Sequence, residues 1–232
     1  MVTELRDGVW RLACRGVNAY LVAPGDESGP TLVDAGTPWD ADTVRTAVAR
    51  VGFELEDVER VLLTHYDLDH VGALADLARR GLDAPVHAAD PDAGQLAGRL
   101  EAPLSNHKGL LQRALAALVE RPDLPVERVA DGESIDGFDA YHTPGHTPGH
   151  VAYVHDDLAA GFVGDLVVER EGRLRASPWY LSYDADAVLA SVESLADRAP
   201  AFEALCMGHG TPITANGSVV LARLGAAAAR RR

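Results

Sequence analysis

Apolar and polar residues alternate at the start of the chain as they do in half-buried strands: Val9-Trp10-Arg11-Leu12, then Ala19-Tyr20-Leu21-Val22 and, after a Pro- and Gly-rich turn at 24–30, Thr31 to Gly36. Strands joined by short turns predict an antiparallel meander. The period then lengthens. Residues 40–51 place apolar groups at Val44, Ala47, Val48 and Val51 behind Asp40 and Asp42, which predicts a short amphipathic helix. Val58 to Thr64 returns to a strand, Val71 to Arg80 predicts a helix closed by Gly81, and Pro85 to Ala88 predicts a short strand. Residues 92–120 are rich in Ala and Leu and helical in pattern, broken around Pro103 to Gly109, and predict an insertion beside the core.

From Val126 the strand pattern restarts, with Ile135 to Tyr141, Val151 to His155, Gly161 to Gly164 and Val167 to Glu169 separated by turns at Asp156-Asp157 and Glu171-Gly172. A helix is expected over 184–198, a last strand over Leu205 to Gly208 and a final helix over 216–230. Strands then helices, twice over, predict an α+β fold: a four-layer αββα sandwich of two mixed sheets with outer helices. No linker divides the chain, so one domain over 1–232 with a helical insertion at about 90–120 is expected.

A chain of 232 residues with 47% apolar content can bury roughly 70% of its unfolded surface, enough for such a core without staples. Only Cys14 and Cys206 are present, which excludes a disulfide framework and an all-thiolate zinc site. The first ten residues carry acidic groups where a secretory leader has a basic and then an apolar stretch, and Val219 to Ala229, interrupted by Arg223, is too short to span a bilayer. A soluble cytoplasmic protein is expected. Its net charge of −14 argues against nucleic acid and anionic membranes as partners. Lys108 is the single lysine among 21 basic residues; such acidity with little lysine suits a high-salt cytoplasm, although a GC-rich genome yields the same arginine bias.

Candidate chemistry gathers at strand ends. In Thr64-His65-Tyr66-Asp67-Leu68-Asp69-His70, His65 and Asp67 point the same way in an extended loop and can grip one ion, while Asp69 and His70, entering a helix, can reach a second. His142 to His150 is a histidine loop fixed by two Pro-Gly turns. Gly164-Asp165 and Gly208-His209-Gly210 each set one ligand type beside glycine, where backbone must pass close to something. Imidazole and carboxylate without thiolate are donors for Zn, Fe or Mn.

With these elements in this order the sequence resembles the metallo-β-lactamase-fold superfamily. The resemblance rests on HYDLDH at 65–70, TPGHTPGH with His146, Asp165, His209 and the early LVDAG with Asp34, and so covers nearly the whole chain. It implies an αββα sandwich and two divalent transition-metal ions, Zn by family habit: one on His65, Asp67 and His146, the other on Asp69, His70 and His209, with Asp165 bridging. The chain departs from the pattern at Asp67, where the family has a second histidine. A carboxylate there favours Fe or Mn, and a hydrogen bond from Asp67 to a neighbouring histidine is the alternative to ligation. The diiron oxygen-reducing branch has Glu at this place, with a flavodoxin domain for which this chain is too short, and the DNA-uptake branch tolerates His-x-Asp-x-Asp-His.

The expected activity is hydrolysis of a small ester, thioester or lactone, as in glyoxalase II-like and lactonase-like members, by a hydroxide held between the cations, with Asp69 orienting the water and passing its proton. Phosphodiester hydrolysis and a non-catalytic metal-binding module with a decayed site are the alternatives. His150, Trp179, Tyr180 and Tyr183 are candidates to line the substrate pocket. His142 is expected to brace the histidine loop, His87 and His107 to be structural, with His107 also open to substrate contact, and His155 to be solvent-exposed at a hairpin tip. The expected partner is a small molecule, and the oligomeric state is open, a homodimer included.

Overall fold

The computed structural model describes residues 1–25 and 29–230; the centre of the turn expected at 24–30 lies outside the described residues. Seven strands form the first sheet in chain order: β1 (Val2–Arg6), β2 (Val9–Ala13), β3 (Asn18–Val22), β4 (Thr31–Val33), β5 (Arg60–Leu62), β6 (Val86–Ala88) and β7 (Val126–Arg128). The first four pair antiparallel as the meander predicts, and β4 to β7 continue in parallel through helical crossovers. The second sheet runs β14-β11-β10-β9-β8, built from β8 (Ser134–Ile135), β9 (Phe138–His142), β10 (Val151–His155), β11 (Ala160–Gly164) and β14 (Ala204–Met207). A separate hairpin joins β12 (Val167–Arg170) to β13 (Arg173–Ala176).

Alternation along the strands sorts side chains into layers. On β3, Ala19 and Leu21 pack outward with α1 (Ala41–Val51) and with α3 (Leu74–Arg79), which follows the four-residue α2 (Leu68–Val71), while Tyr20 and Val22 face the second sheet. On β10, Val151 and Tyr153 face the first sheet while Ala152 and Val154 pack under α6 (Ala185–Arg198) and α7 (Gly217–Ala229). The result is the four-layer αββα sandwich, with Tyr20, Phe138, Tyr153 and Phe162 filling the space between the sheets. A Phe side chain buried this fully contributes roughly 1.5–3 kcal/mol.

Three features differ from the sequence expectation. β1 is an added edge strand whose residues are half-buried or exposed, so no apolar alternation marked it. The stretch expected as one helix over Val71 to Arg80 is broken by a turn at Gly72 and Ala73 between α2 and α3, and the Gly72 backbone lies so close to Pro38 that a Cβ would collide with it. His155, expected at an exposed tip, is 5% exposed, its ring edge-on to Phe138 at 4.9 Å and under Gly137. The turn residues beside it are in solvent, but its own side chain follows the inward register of β10. Between β6 and β7 the insertion carries α4 (Asp92–Leu96) and α5 (His107–Leu115), ending in one 3₁₀ turn. The break expected at Pro103 to Gly109 extends only to Asn106, which caps α5. No described helix is long and apolar enough to cross a membrane.

Candidate metal centre

The loops after β4, β5, β9, β11 and β14 emerge at one edge of the two sheets, and they bring the sequence-predicted residues together. Among the described residues three groups have donor atoms mutually within 4.8 Å: His65, Asp67 and His146; His65, His70 and Asp165; and Asp69, His70 and His209. His65 belongs to two of them. Asp69 lies in the first turn of α2, half-buried, at the helix entry expected for it.

The histidines are aimed by what holds their outer nitrogens. Asp34, 2% exposed and in the left-handed region at φ 57°, accepts from Thr64 N at 2.9 Å, Thr64 Oγ1 at 2.8 Å and His70 Nδ1 at 2.8 Å. Because the Thr64 hydroxyl donates to Asp34, it accepts from His65 Nδ1 at 3.0 Å. His146 Nδ1 pairs with Ser177 Oγ at 2.8 Å and His209 Nδ1 donates to Gly16 O at 2.8 Å. All four rings therefore spend Nδ1 on the protein and turn Nε2 inward, the tautomer a metal ligand needs. The loop that carries His146 is pinned from behind: Gly145, at φ 137°, has no room for a Cβ against Val188 of α6, and Ser191 donates to Pro144 O at 2.7 Å.

Inside this ring of Nε2 atoms, buried His65 Nε2, His70 Nε2 and Asp165 Oδ1 have no hydrogen-bond partner. Gly208 faces them with bare backbone, and a Cβ there would collide with Asp165 Oδ1 and His70. Buried polar atoms left unpaired cost about 1–3 kcal/mol each. Three converging on one point fit a transition-metal ion, and imidazole with carboxylate suits Zn, Fe or Mn. Asp67 is different. Its Oδ2 takes Lys108 Nζ at 2.6 Å and its Oδ1 takes Gln112 Nε2 at 2.7 Å. His146 Nε2 also lies 2.6 Å from Lys108 Nζ.

Charge in the cluster follows these contacts. Burial and the neighbouring His70 hold the His65 pKa well below the usual imidazole value, and burial with Lys108 lowers that of His146. Burial also works against a charged His70, yet the Asp34 and Asp165 carboxylates outweigh it and hold its pKa well above the usual value. His209 is pushed up to about 10 against its burial by Asp165, 3.2 Å away, with Asp69 at 3.3 Å adding to the shift. Burial would raise Asp67, but Lys108 and the histidines hold it well below the carboxylate range. Asp165 is held low in the same way by His209 and His70.

Above the donors lies a cavity of about 330 Å³ with Asp69, Asp165, His209 and Lys108 at its floor and Leu68, Leu111, Leu115, Val119 and Leu181 in its walls. A side cleft of about 240 Å³ adds Tyr180 beside His209 and Asp165. Trp179 is 68% exposed, its carbonyl 3.0 Å from His107 Nε2. Tyr183 donates to Gln112 at 2.5 Å, behind the cavity wall. His150 is buried behind His65, rings 5.1 Å apart, with Nδ1 on Thr143, and does not line the cavity. His142 donates to Val129 O at 3.1 Å, bracing the loop from outside, and His87 faces Glu127.

Sequence reasoning missed two contributors. Asp92, fully buried at the start of α4, accepts from Tyr66 N, Thr147 Oγ1 and Gly149 N at 2.6–2.9 Å and so ties the 65–70 loop to the histidine loop; burial raises its pKa to about 6. Lys108 and Gln112 on α5 are the other. The lysine was conspicuous only for being alone.

Residues 12–209 match the metallo-beta-lactamase superfamily. The chain belongs to that superfamily. It is 29% identical to the probable metallo-hydrolase YflN of Bacillus subtilis over 91% of this chain and 87% of the relative. It is also 33% identical to the hydroxyacylglutathione hydrolase of Rhodopseudomonas palustris over 64% of this chain and 47% of that one. Among solved structures, TTHA1623 in a di-iron-bound form aligns with TM-score 0.67 and 32% identity over 90% of this chain and 93% of its own. The metallo-beta-lactamase family protein TTHA1429 of Thermus thermophilus aligns with TM-score 0.73 and 23% identity over 98% and 81%, a likeness of fold. Superfamily membership and the convergent donors together make the chain a metal-dependent hydrolase, its substrate unassigned.

Proposed function

We propose that the chain hydrolyses a small ester, thioester or lactone, with His65, Asp69, His70, Asp165 and His209 serving a divalent transition-metal ion. The observation that carries this reading is the set of three unpartnered buried donors, of which Asp165 reaches a cavity walled on one side by leucines. A metal ion bound there supplies a Lewis acid for a carbonyl oxygen and a water acidic enough to lose its proton near neutral pH. Asp69, half-buried at the cavity floor and 3.3 Å from His209 Nε2, is placed to orient that water and to carry its proton to the leaving group. The leucine walls suit an acyl chain and exclude bulk water, which strengthens each electrostatic contact at the floor. The relative that hydrolyses hydroxyacylglutathione, a thioester, supports the same substrate class.

A phosphodiester is disfavoured by the three aspartates lining the cavity, where Lys108 is already paired with Asp67 and His209 with Asp69 and Asp165. Protein loaded separately with Zn, Mn and Fe(II) is to be assayed on p-nitrophenyl esters, an S-acyl glutathione, a γ-lactone and bis-p-nitrophenyl phosphate. The expected result is turnover on a carbonyl substrate that chelation abolishes and metal restores. Turnover confined to the phosphodiester, or unaffected by chelation, would refute the reading.

A further inference from the structure

Lys108 is the chain's single lysine, and it is 3% exposed. Its Nζ stands 2.6 Å from Asp67 Oδ2 and 2.6 Å from His146 Nε2, on the two residues that with His65 form the first donor group. The placement is built. Asn106 caps α5 by accepting from Lys108 N at 2.9 Å and Gly109 N at 3.4 Å. Gly109 lets that first turn pack directly on the Pro103 carbonyl, where a Cβ would collide. Four residues on, and therefore on the same helix face, Gln112 donates to Asp67 Oδ1 and to Tyr66 O, and is itself held by Tyr183. Asn106 in turn donates to Tyr183 O at 2.9 Å. Both Asp67 oxygens and His146 Nε2 thus face groups of this one helix, with Asp67 Oδ2 also 3.1 Å from His146 Nε2 and 3.5 Å from His65 Nε2.

A lone pair faces one partner. His146 Nε2 has one, and either an ammonium hydrogen or a metal ion can use it. An ion at the roughly 2.0–2.2 Å that nitrogen and oxygen ligands require of both Asp67 and His146 would lie in the volume Nζ already fills. The departure at residue 67 and the lone lysine then explain each other: where the superfamily pattern sets a neutral imidazole beside a dication, this chain sets a carboxylate beside an ammonium. On the opposite side no lysine or arginine among the described residues is paired with the donors, and His65 Nε2, His70 Nε2 and Asp165 Oδ1, the last two 3.5 Å apart, make no hydrogen bond.

We propose that the Lys108 ammonium is the resident cation of the Asp67–His146 side and that the chain binds one transition-metal ion, on the His65–His70–Asp165 side. This rests on the metal-dependent reading above and sets one ion where the superfamily resemblance implies two. The test is the metal content of purified protein equilibrated with excess ZnCl₂, and separately with MnCl₂, then freed of unbound metal by gel filtration. Wild type is expected to hold one ion per chain, His146→Ala still one, and Lys108→Met two, with folding of each variant checked by circular dichroism. Two ions in wild type, loss of the ion in His146→Ala, or one ion in a folded Lys108→Met would overturn the proposal while leaving the enzyme metal-dependent. No ion in folded wild type would instead refute the metal reading itself. Should Lys108→Met fail to fold, the wild-type and His146→Ala contents still decide. The electron paramagnetic resonance of Mn-loaded wild type is a further check: an isolated ion gives an uncoupled six-line spectrum, and an exchange-coupled one would overturn the proposal.

Discussion

On the side of the donor cluster nearest β14, His70 Nε2 and Asp165 Oδ1, 3.5 Å apart, make no hydrogen bond, whereas on the side nearest α5, Asp67 and His146 have their polar atoms taken up by Lys108 and Gln112. Both sides are made of His and Asp, both are buried, and both rest on hydroxyl or carboxylate partners that fix the ring tautomers. What separates them is a helix from the insertion that reaches one side and not the other. The kinds of donor say where an ion can sit; the partners of those donors say whether the lone pairs are available to it.

The contrast can be broken most severely at its open side. His70→Ala removes one of the three unpartnered donors and is expected to leave the protein without stably bound metal, read by elemental analysis after gel filtration; retention of a full ion would move the site elsewhere. Next in size is the proton-handling group. Asp69→Asn is expected to cut kcat on an ester, thioester or lactone by roughly a hundredfold or more while metal stays bound, the scale of a lost general base. Near-normal turnover in the metal-loaded variant would assign that role to another group.

A milder loss is expected one layer out. Asp34 orients His70 directly and His65 through Thr64, so Asp34→Ala is expected to weaken metal affinity by about 10–100-fold, as loss of such an orienting partner typically does, measured by competition with a chromophoric chelator. Unchanged affinity would mean the rings are held by packing alone.

The smallest expected effect belongs to the clamp that joins the two loops. The Asp92 pKa of about 6 in the folded protein exceeds its ordinary 3.8, so the folded state binds this proton more tightly than the unfolded one. The stability it contributes is therefore fully present below about pH 4 and is lost as pH rises through about 6, by up to ~3 kcal/mol for a shift of about two units. Asn cannot titrate. Between pH 4 and pH 7 the urea stability of wild type should accordingly fall relative to that of Asp92→Asn, and a constant difference between the two would contradict the shift.

The sandwich was legible because β3, β5, β10 and β14 bury both faces or alternate cleanly, and the gathering of His and Asp at one sheet edge because HYDLDH crowds four of them into six residues and His146, Asp165 and His209 stand in Gly- or Pro-marked loops at strand ends. Gly208 shows how direct that reading can be: the glycine marks the place where backbone passes Asp165 and His70 too closely for a Cβ. What stayed hidden acts across the fold. Lys108 lies 41 residues from Asp67 in sequence, on a helix whose pattern reports only its own amphipathicity. Asp92 sits in an Ala-rich stretch where an acidic residue resembles a solvated helix start, and only the folded chain brings three donors to it. His155 misled for the converse reason, since exposed neighbours at 156 and 157 conceal an inward register.

The difference between the two sides is tested most directly by anomalous diffraction from crystals grown with excess Zn or Mn. One peak is expected, within coordinating distance of His70 Nε2 and Asp165, with the Lys108 side chain still between Asp67 and His146. A second peak between Asp67 and His146, with Lys108 displaced, would contradict the account.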